Sequence, residues 1–128
     1  MTNSTDVVVA GHICFDIIPK MISGGSVIND ILRPGKLVHV EKAKVSSGGP
    51  VSNTGLALNR LGISVELMGK CGNDMFGHAL IQKIKDEADG AEKGMQIVDG
   101  ETTSYTVVIS PPGIDRIFLH CSGANDTF

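Results

Sequence analysis

Two short stretches of the sequence place polar residues at spacings that could hold a ligand. The first is Gly48-Gly49-Pro50-Val51-Ser52-Asn53, directly before a segment that reads as a helix up to Gly62. The first backbone N–H groups of a helix have no partner within it, and the helix dipole is positive there. Glycines leave that backbone open to close approach. Pro50 fixes the entry of the chain, Ser52 is placed to cap the helix, and Asn53 offers a donor and an acceptor to the same spot. No lysine follows the glycines in the manner of a phosphate-binding loop, so the arrangement suits a neutral polyol better than a polyphosphate. The second stretch is Gly-His-Ile-Cys-Phe-Asp, Gly11–Asp16, in which Asp16 is expected just beyond a first buried strand. Ligands of open α/β sheets bind outside the carboxyl ends of strands. A carboxylate there can accept from two vicinal hydroxyls, at about 1.5–3 kcal/mol for each charge-assisted bond. Both stretches also have plainer uses, as turn chemistry before a helix and as a turn or cap aspartate after a strand.

Other chemistry-bearing residues form weaker patterns. His12, His39, His78 and His120 are scattered without metal-ligand spacing. Ser46-Ser47 lacks the context of a hydrolase nucleophile. Arg33, Lys36, Lys42 and Lys44 could meet an acidic or phosphorylated substrate, or simply guard an edge strand against aggregation. Cys14, Cys71 and Cys121 are far apart and odd in number, with no C-x-x-C, which points to free thiols in a reducing compartment and so to the cytoplasm. The first strand is followed by Gly11 alone, which is too little for a dinucleotide-binding fingerprint.

The elements that must position these residues alternate in type. Asp6–Ile13 is a continuous apolar run, expected as a strand covered on both faces. Gly24-Gly25-Ser26 and Arg33-Pro34-Gly35 are turn signals. Lys36–Val45 alternates with period two, with a slip of phase near Glu41–Lys42 that suggests a bulge. In the helix after Gly48, Gly55 permits close packing and Gly62 supplies the left-handed residue that ends it. Val65–Gly69 reads as a second core strand. Asp74–Ala88 reads as a helix capped by Asp74, with Phe76, Leu80, Ile84 and Ala88 along one face. Gly94–Val98 is a third short strand, and SYTVVIS and DRIFLHC form a hairpin across PPGI. The order predicts a layered α/β core with parallel strands. The one-sided strands over 36–45 and 104–121 predict a small separate sheet with one wet face.

Composition narrows the function classes. The 128 residues, 41 % hydrophobic and 20 % charged, fit one globular domain or a piece of one. A net charge of −3, with no basic run and no tryptophan, argues against nucleic acid and anionic membranes as partners. No stretch approaches the ~18 apolar residues of a membrane span. The chain stops in GANDTF directly after a strand, which suggests the front part of something longer.

Taken together, these motifs resemble the N-terminal part of a ribokinase-like carbohydrate kinase of the PfkB family, over essentially the whole chain. Gly11–Asp16 resembles the family's first strand and sugar-binding aspartate. Gly48–Asn53, followed by Leu61-Gly62, resembles its first signature. Met68–Gly77, MGKCGNDMFG, resembles its glycine-rich V-G-x-x-G-x-D-x-F-G stretch, and Thr102–Thr106 with Arg116–Asn125 resembles its lid strands and the G-A-N after them.

The resemblance implies a partial three-layer α/β core with a small β-sheet lid, the lid segments lying at approximately 17–45 and 102–121. It implies a kinase that transfers the ATP γ-phosphate, with Mg²⁺, to a hydroxyl of a sugar or nucleoside, and a homodimer formed through the lid strands. Asp16, Gly48, Gly49 and Asn53 would hold the substrate, with Asn125 at the return from lid to core. The family's catalytic G-A-G-D motif and its nucleotide pocket lie late in the chain, so the ATP and Mg²⁺ sites are expected outside these residues and the chain alone is expected to be inactive. Gly123–Asp126 resembles that motif by its letters. Asn125 replaces the second glycine, however, and no helix is expected from the two residues that follow Asp126. The rival from another class is a non-catalytic α/β binding or dimerisation module.

Overall fold

The computed structural model describes residues 4–22 and 28–128; the turn expected at Gly24-Gly25-Ser26 lies outside them. The elements in chain order are β1 Val7–Ala10, β2 Cys14–Met21, the single helical turn α1 Ile28–Ile31, β3 Val40–Gly48, α2 Gly49–Arg60, β4 Val65–Met68, β5 Lys70–Gly72, α3 Met75–Glu87, β6 Gln96–Val98, β7 Tyr105–Ile109 and β8 Ile117–Cys121. Short 3₁₀ turns occupy Ala91–Gly94 and Gly123–Thr127.

The strands sort into two parallel pairs and one mixed sheet. β1 pairs with β4 and β5 with β6, both parallel, as the βαβ order requires. The four-stranded lid sheet runs β3-β2-β7-β8, with β2 antiparallel to β3 and parallel to β7. The expected bulge is present. Ile18 pairs with Lys44 and Lys20 with Glu41, so Lys42 and Ala43 together oppose Pro19. A proline cannot donate to a ladder, and a bulge removes that demand.

The helices cover the core pair. Val51, Leu56, Leu67, Leu80 and Ile84 are all buried with Ile13 and Phe15 in one cluster. Leu67 lies so close to Gly55 that a Cβ there would overlap it. Asp74 caps α3 by accepting from the Gly77 amide at 2.8 Å, and Gly62 ends α2 with φ +88°.

Several expectations need correction. Among the described residues the first strand is covered on one face only, since Val8 is 51 % exposed and alternate positions are turned outward. Asp16 does lie beyond that strand, as expected, and it belongs to the next strand, β2. The strand expected over 36–45 begins at Val40 and runs on to Gly48, where α2 starts. The residue at the N-cap of α2 is Gly48, without a side-chain bond, and Ser52 is instead buried inside the first turn with its hydroxyl on Ser47 Oγ, 2.5 Å away. Gly94–Met95 precede the third short strand, which starts at Gln96. Helical structure does form near the end of the chain, as the 3₁₀ turn Gly123–Thr127, since one such turn needs only a few residues. Among the described residues no helix is long and apolar enough to cross a membrane.

Candidate functional site

The candidate site lies where β2, β3 and the start of α2 meet. Alternation along the lid sheet turns Phe15 and Tyr105 toward the core, where both rings pack on Phe76 with centroids 5.5 and 5.3 Å away. The same alternation turns Cys14 and Asp16 to the opposite face. Asp16 sits between Ser46 on β3 and Thr106 on β7, and Thr106 sits in turn beside His120 on β8. These strands wall a cavity of about 510 Å³ that also takes in His12, Gly49 and Phe118.

The two glycines are explained by close approach. A Cβ on Gly48 would overlap the Asp16 carboxylate. Gly49 has φ +85°, and a Cβ there would come within 2.7 Å of the His12 carbonyl oxygen. That carbonyl accepts from the Val51 N–H at 3.2 Å, so the start of α2 is fastened to the β1–β2 connection.

The polar groups of the cavity are linked. The Cys14 thiol donates to Asp16 Oδ1 at 3.2 Å, and Thr106 Oγ1 lies 3.8 Å from the Cys14 sulfur and 2.9 Å from His120 Nδ1. Burial, then the bond to Asp16 and its negative charge, pushes the Cys14 thiol up to about 12 against a smaller opposing effect of Thr106. Cys14 is thus a proton-bearing donor, not a nucleophile. The rings of His12 and His120 stack with centroids 5.5 Å apart. The Arg116 guanidinium lies over the Phe118 ring at 5.5 Å.

The structure brings Asp16, Gly48 and Gly49 together and sets the other two expected residues apart. Asn53 is exposed and lines a separate hollow of about 250 Å³ with Lys44, Ser46 and Arg60. Asn125 is engaged with backbone: its Oδ1 accepts from the Ile13 N–H at 3.1 Å, and its Nδ2 donates to the Ile13 carbonyl at 2.9 Å and the Ser122 carbonyl at 3.1 Å. Asp126 accepts from the Ser122 hydroxyl at 2.6 Å. The sequence reading did not single out Cys14, Thr106, His12 or His120 as parts of the site. Their only signal was the alternation that puts Thr106 and His120 on one face of the hairpin.

The arrangement can accept hydrogen bonds from hydroxyls at a fixed carboxylate beside apolar and imidazole surface. At the start of α2, Pro50 has no N–H and the Val51 N–H is already engaged with the His12 carbonyl.

The chain is 26 % identical over 119 residues to the ribokinase of Mus musculus, a match covering 93 % of this chain and 34 % of that protein. Its fold superposes on the ribokinase of Cryptococcus neoformans solved with ADP (TM-score 0.68, 25 % identity, 94 % of this chain and 36 % of the other). It superposes also on the Arabidopsis thaliana ribokinase solved with ribose and ATP (TM-score 0.71, 19 % identity, 91 % of this chain and 36 % of the other). The chain therefore spans about a third of the length of these relatives. The family model of the pfkB family carbohydrate kinases matches residues 4–128, nearly the whole chain, and the chain belongs to that family.

Proposed function

We propose that the chain is the acceptor-binding and lid portion of an ATP-dependent kinase that moves the γ-phosphoryl group to a hydroxyl of a sugar or nucleoside. The observation that carries the reading is the Asp16 carboxylate lying against Gly48 at the start of α2, inside a cavity roofed by lid strands. Asp16 accepts hydrogen bonds from hydroxyls and fixes the acceptor. His12, His120 and Phe118 exclude water from one side of it. Phosphoryl transfer is mainly positioning and charge stabilisation, and these residues supply the positioning of the acceptor. Asn53 contributes from the rim when an acceptor draws α2 and the lid together, and Asn125 acts by holding the Ile13 backbone three residues before Asp16. ATP and Mg²⁺ are assigned in this reading to residues outside the chain.

Two further features belong to the reading. The far end of the lid sheet carries an apolar hollow lined by Pro19, Met21, Val40, Val107 and Ile109, which a second copy of the lid would cover in a homodimer. The three cysteines are all free, in keeping with work in the cytoplasm.

Calorimetric titration of the chain with ribose and with inosine, as wild type and as Asp16→Ala, tests the assignment. Loss of one charge-assisted bond of about 1.5–3 kcal/mol should weaken binding by roughly 10- to 150-fold. Unchanged affinity in a folded Asp16→Ala chain removes Asp16 from the site.

A further inference from the structure

Four side chains of the cavity form one line of hydrogen bonds whose direction follows from counting protons. Cys14 carries one hydrogen, and its thiol donates it to Asp16 Oδ1 at 3.2 Å. The sulfur is then only an acceptor, for the Thr106 hydroxyl 3.8 Å away. Thr106 also has a single hydrogen, so toward His120 Nδ1, at 2.9 Å, its oxygen accepts. With the Thr106 hydrogen kept on the Cys14 sulfur, the 2.9 Å contact is a hydrogen bond only when Nδ1 bears the hydrogen. We propose that Cys14, Thr106 and His120 are positioning residues for Asp16: a directed chain from His120 Nδ1–H through Thr106 and the Cys14 thiol fixes the carboxylate by its Oδ1 and leaves Oδ2 as the oxygen without a donor among the described residues.

This deepens the proposed acceptor site and rests on it for its functional meaning. The chain of bonds itself does not depend on any acceptor. Each member comes from a different strand position, Cys14 and Asp16 on β2, Thr106 on β7 and His120 on β8, so the line ties three strands of the lid together. Its middle links are protected. Cys14 and Thr106 are 5 % and 6 % exposed, and the thiol keeps its proton well past neutrality because burial pushes it up to about 12. The Nδ1 hydrogen that the line needs is present in both the imidazolium and the Nδ1–H neutral form of the His120 ring. The titratable groups facing that ring are His12, stacked upon it, with Cys14 and Asp16 along the cavity wall. A serine at position 14 would keep the donor, and an alanine would remove it.

Nitrogen-15 NMR of the full chain reads the tautomer directly. At a pH where His120 is neutral, Nδ1–H is expected to exceed Nε2–H by about fivefold or more, the effect of one net hydrogen bond, and Thr106→Val should abolish that bias. Three-bond couplings read the Asp16 side chain. One rotamer is expected in wild type and in Cys14→Ser, and averaging among rotamers in Cys14→Ala and Thr106→Val, with far-ultraviolet circular dichroism unchanged. A predominantly Nε2–H His120 in the wild-type chain overturns the proposal, and so does a single Asp16 rotamer in Cys14→Ala. Neither measurement contains an acceptor. If the wild-type chain binds neither ribose nor inosine, the acceptor reading falls while the expected tautomer and rotamers still establish the positioning chain.

Discussion

Gly48→Ala separates the carboxylate of Asp16 from the backbone beneath it. Gly48 has φ −130° and ψ −178°, an extended conformation open to any residue, so alanine brings no backbone strain. Its Cβ, however, would overlap the Asp16 carboxylate, coming within 2.8 Å even of Oδ1. Asp16 has to turn away and lose both the Cys14 thiol and its place in the cavity. One lost charge-assisted bond of about 1.5–3 kcal/mol predicts a 10- to 150-fold drop in affinity for ribose or inosine. Fold stability should change by no more than about 1 kcal/mol, since alanine also narrows the unfolded ensemble by about 0.4–1 kcal/mol. The neighbouring Gly49→Ala should behave in the opposite sense. At φ +85° a side chain costs about 1–2 kcal/mol, and a Cβ 2.7 Å from the His12 carbonyl oxygen forces backbone to move. Urea denaturation should therefore show a loss of about 2–3 kcal/mol for Gly49→Ala. Calorimetry paired with urea melts separates the two variants. Wild-type affinity in a folded Gly48→Ala chain would refute the placement of the carboxylate.

Further predictions concern the fold and the whole chain. Thr103→Val leaves the buried Gly72 N–H without the hydroxyl it meets at 2.9 Å and deprives Asp74 of a 2.6 Å bond, so urea denaturation at pH 7 should show a loss of about 2–4 kcal/mol. Burial alone would raise the pKa of Asp74, but bonds from Thr103 and Gly77, with His78, hold it below the ordinary 3.8. A folded value below the unfolded one stabilises above about pH 4 and is lost as pH falls through the folded value, so the Thr103→Val variant should show a shallower acid limb than wild type. Alkylation by iodoacetamide at pH 8 should mark half-buried Cys121 before Cys14 and Cys71, whose burial pushes them up to about 12 and about 11; mass spectrometry that finds Cys14 first contradicts this. Light scattering should give at least a dimer mass at micromolar concentration, and a monomer mass counts against the lid interface. Purified chain with ATP, Mg²⁺ and a panel of sugars and nucleosides should release no acceptor-dependent ADP, and turnover abolished by Asp126→Asn would reverse that expectation.

Elements with a strong local period were legible in the sequence. The four-residue stripe Phe76–Leu80–Ile84–Ala88 marked α3, and Leu80 and Ile84 are fully buried. The alternation on either side of PPGI marked the β7–β8 hairpin. β2 was not legible, although it is the strand that carries Asp16. CFDIIPKM has no period of two because residues on both its faces are partly covered, and Pro19 argues against a strand until the bulge opposite it is known. β5 has only three residues, too few for any period. In the site, the glycine pair and Asp16 were marked by residue type. Cys14, Thr106 and His120 were not, because β2 is far in sequence from the β7–β8 hairpin it pairs with: the Cys14–Thr106 contact spans 92 residues.

Precision at Asp16 comes from the backbone of four of the five residues before it, each fastened to a different part of the chain. The Gly11 N–H donates to the Met68 carbonyl at 3.0 Å, the His12 carbonyl accepts from Val51, Ile13 is held on both sides by the Asn125 amide, and the Phe15 N–H donates to the Ser104 carbonyl at 2.9 Å. The connection between β1 and β2 is therefore a seam rather than a loop, with the core, the start of α2, the last 3₁₀ turn and the lid all bonded to it. A carboxylate on a free loop would sample many positions and lose binding energy in being ordered. Here the ordering is completed by folding, and the side-chain line through Cys14 extends the same constraint to the carboxylate. The apolar sequence Ile13–Phe15 makes this possible, because burying Ile13 and Phe15 in the core on one face directs Cys14 and Asp16 to the other. Core packing and acceptor geometry are thus consequences of the same alternation, and a substitution that disturbs one at this seam must disturb the other.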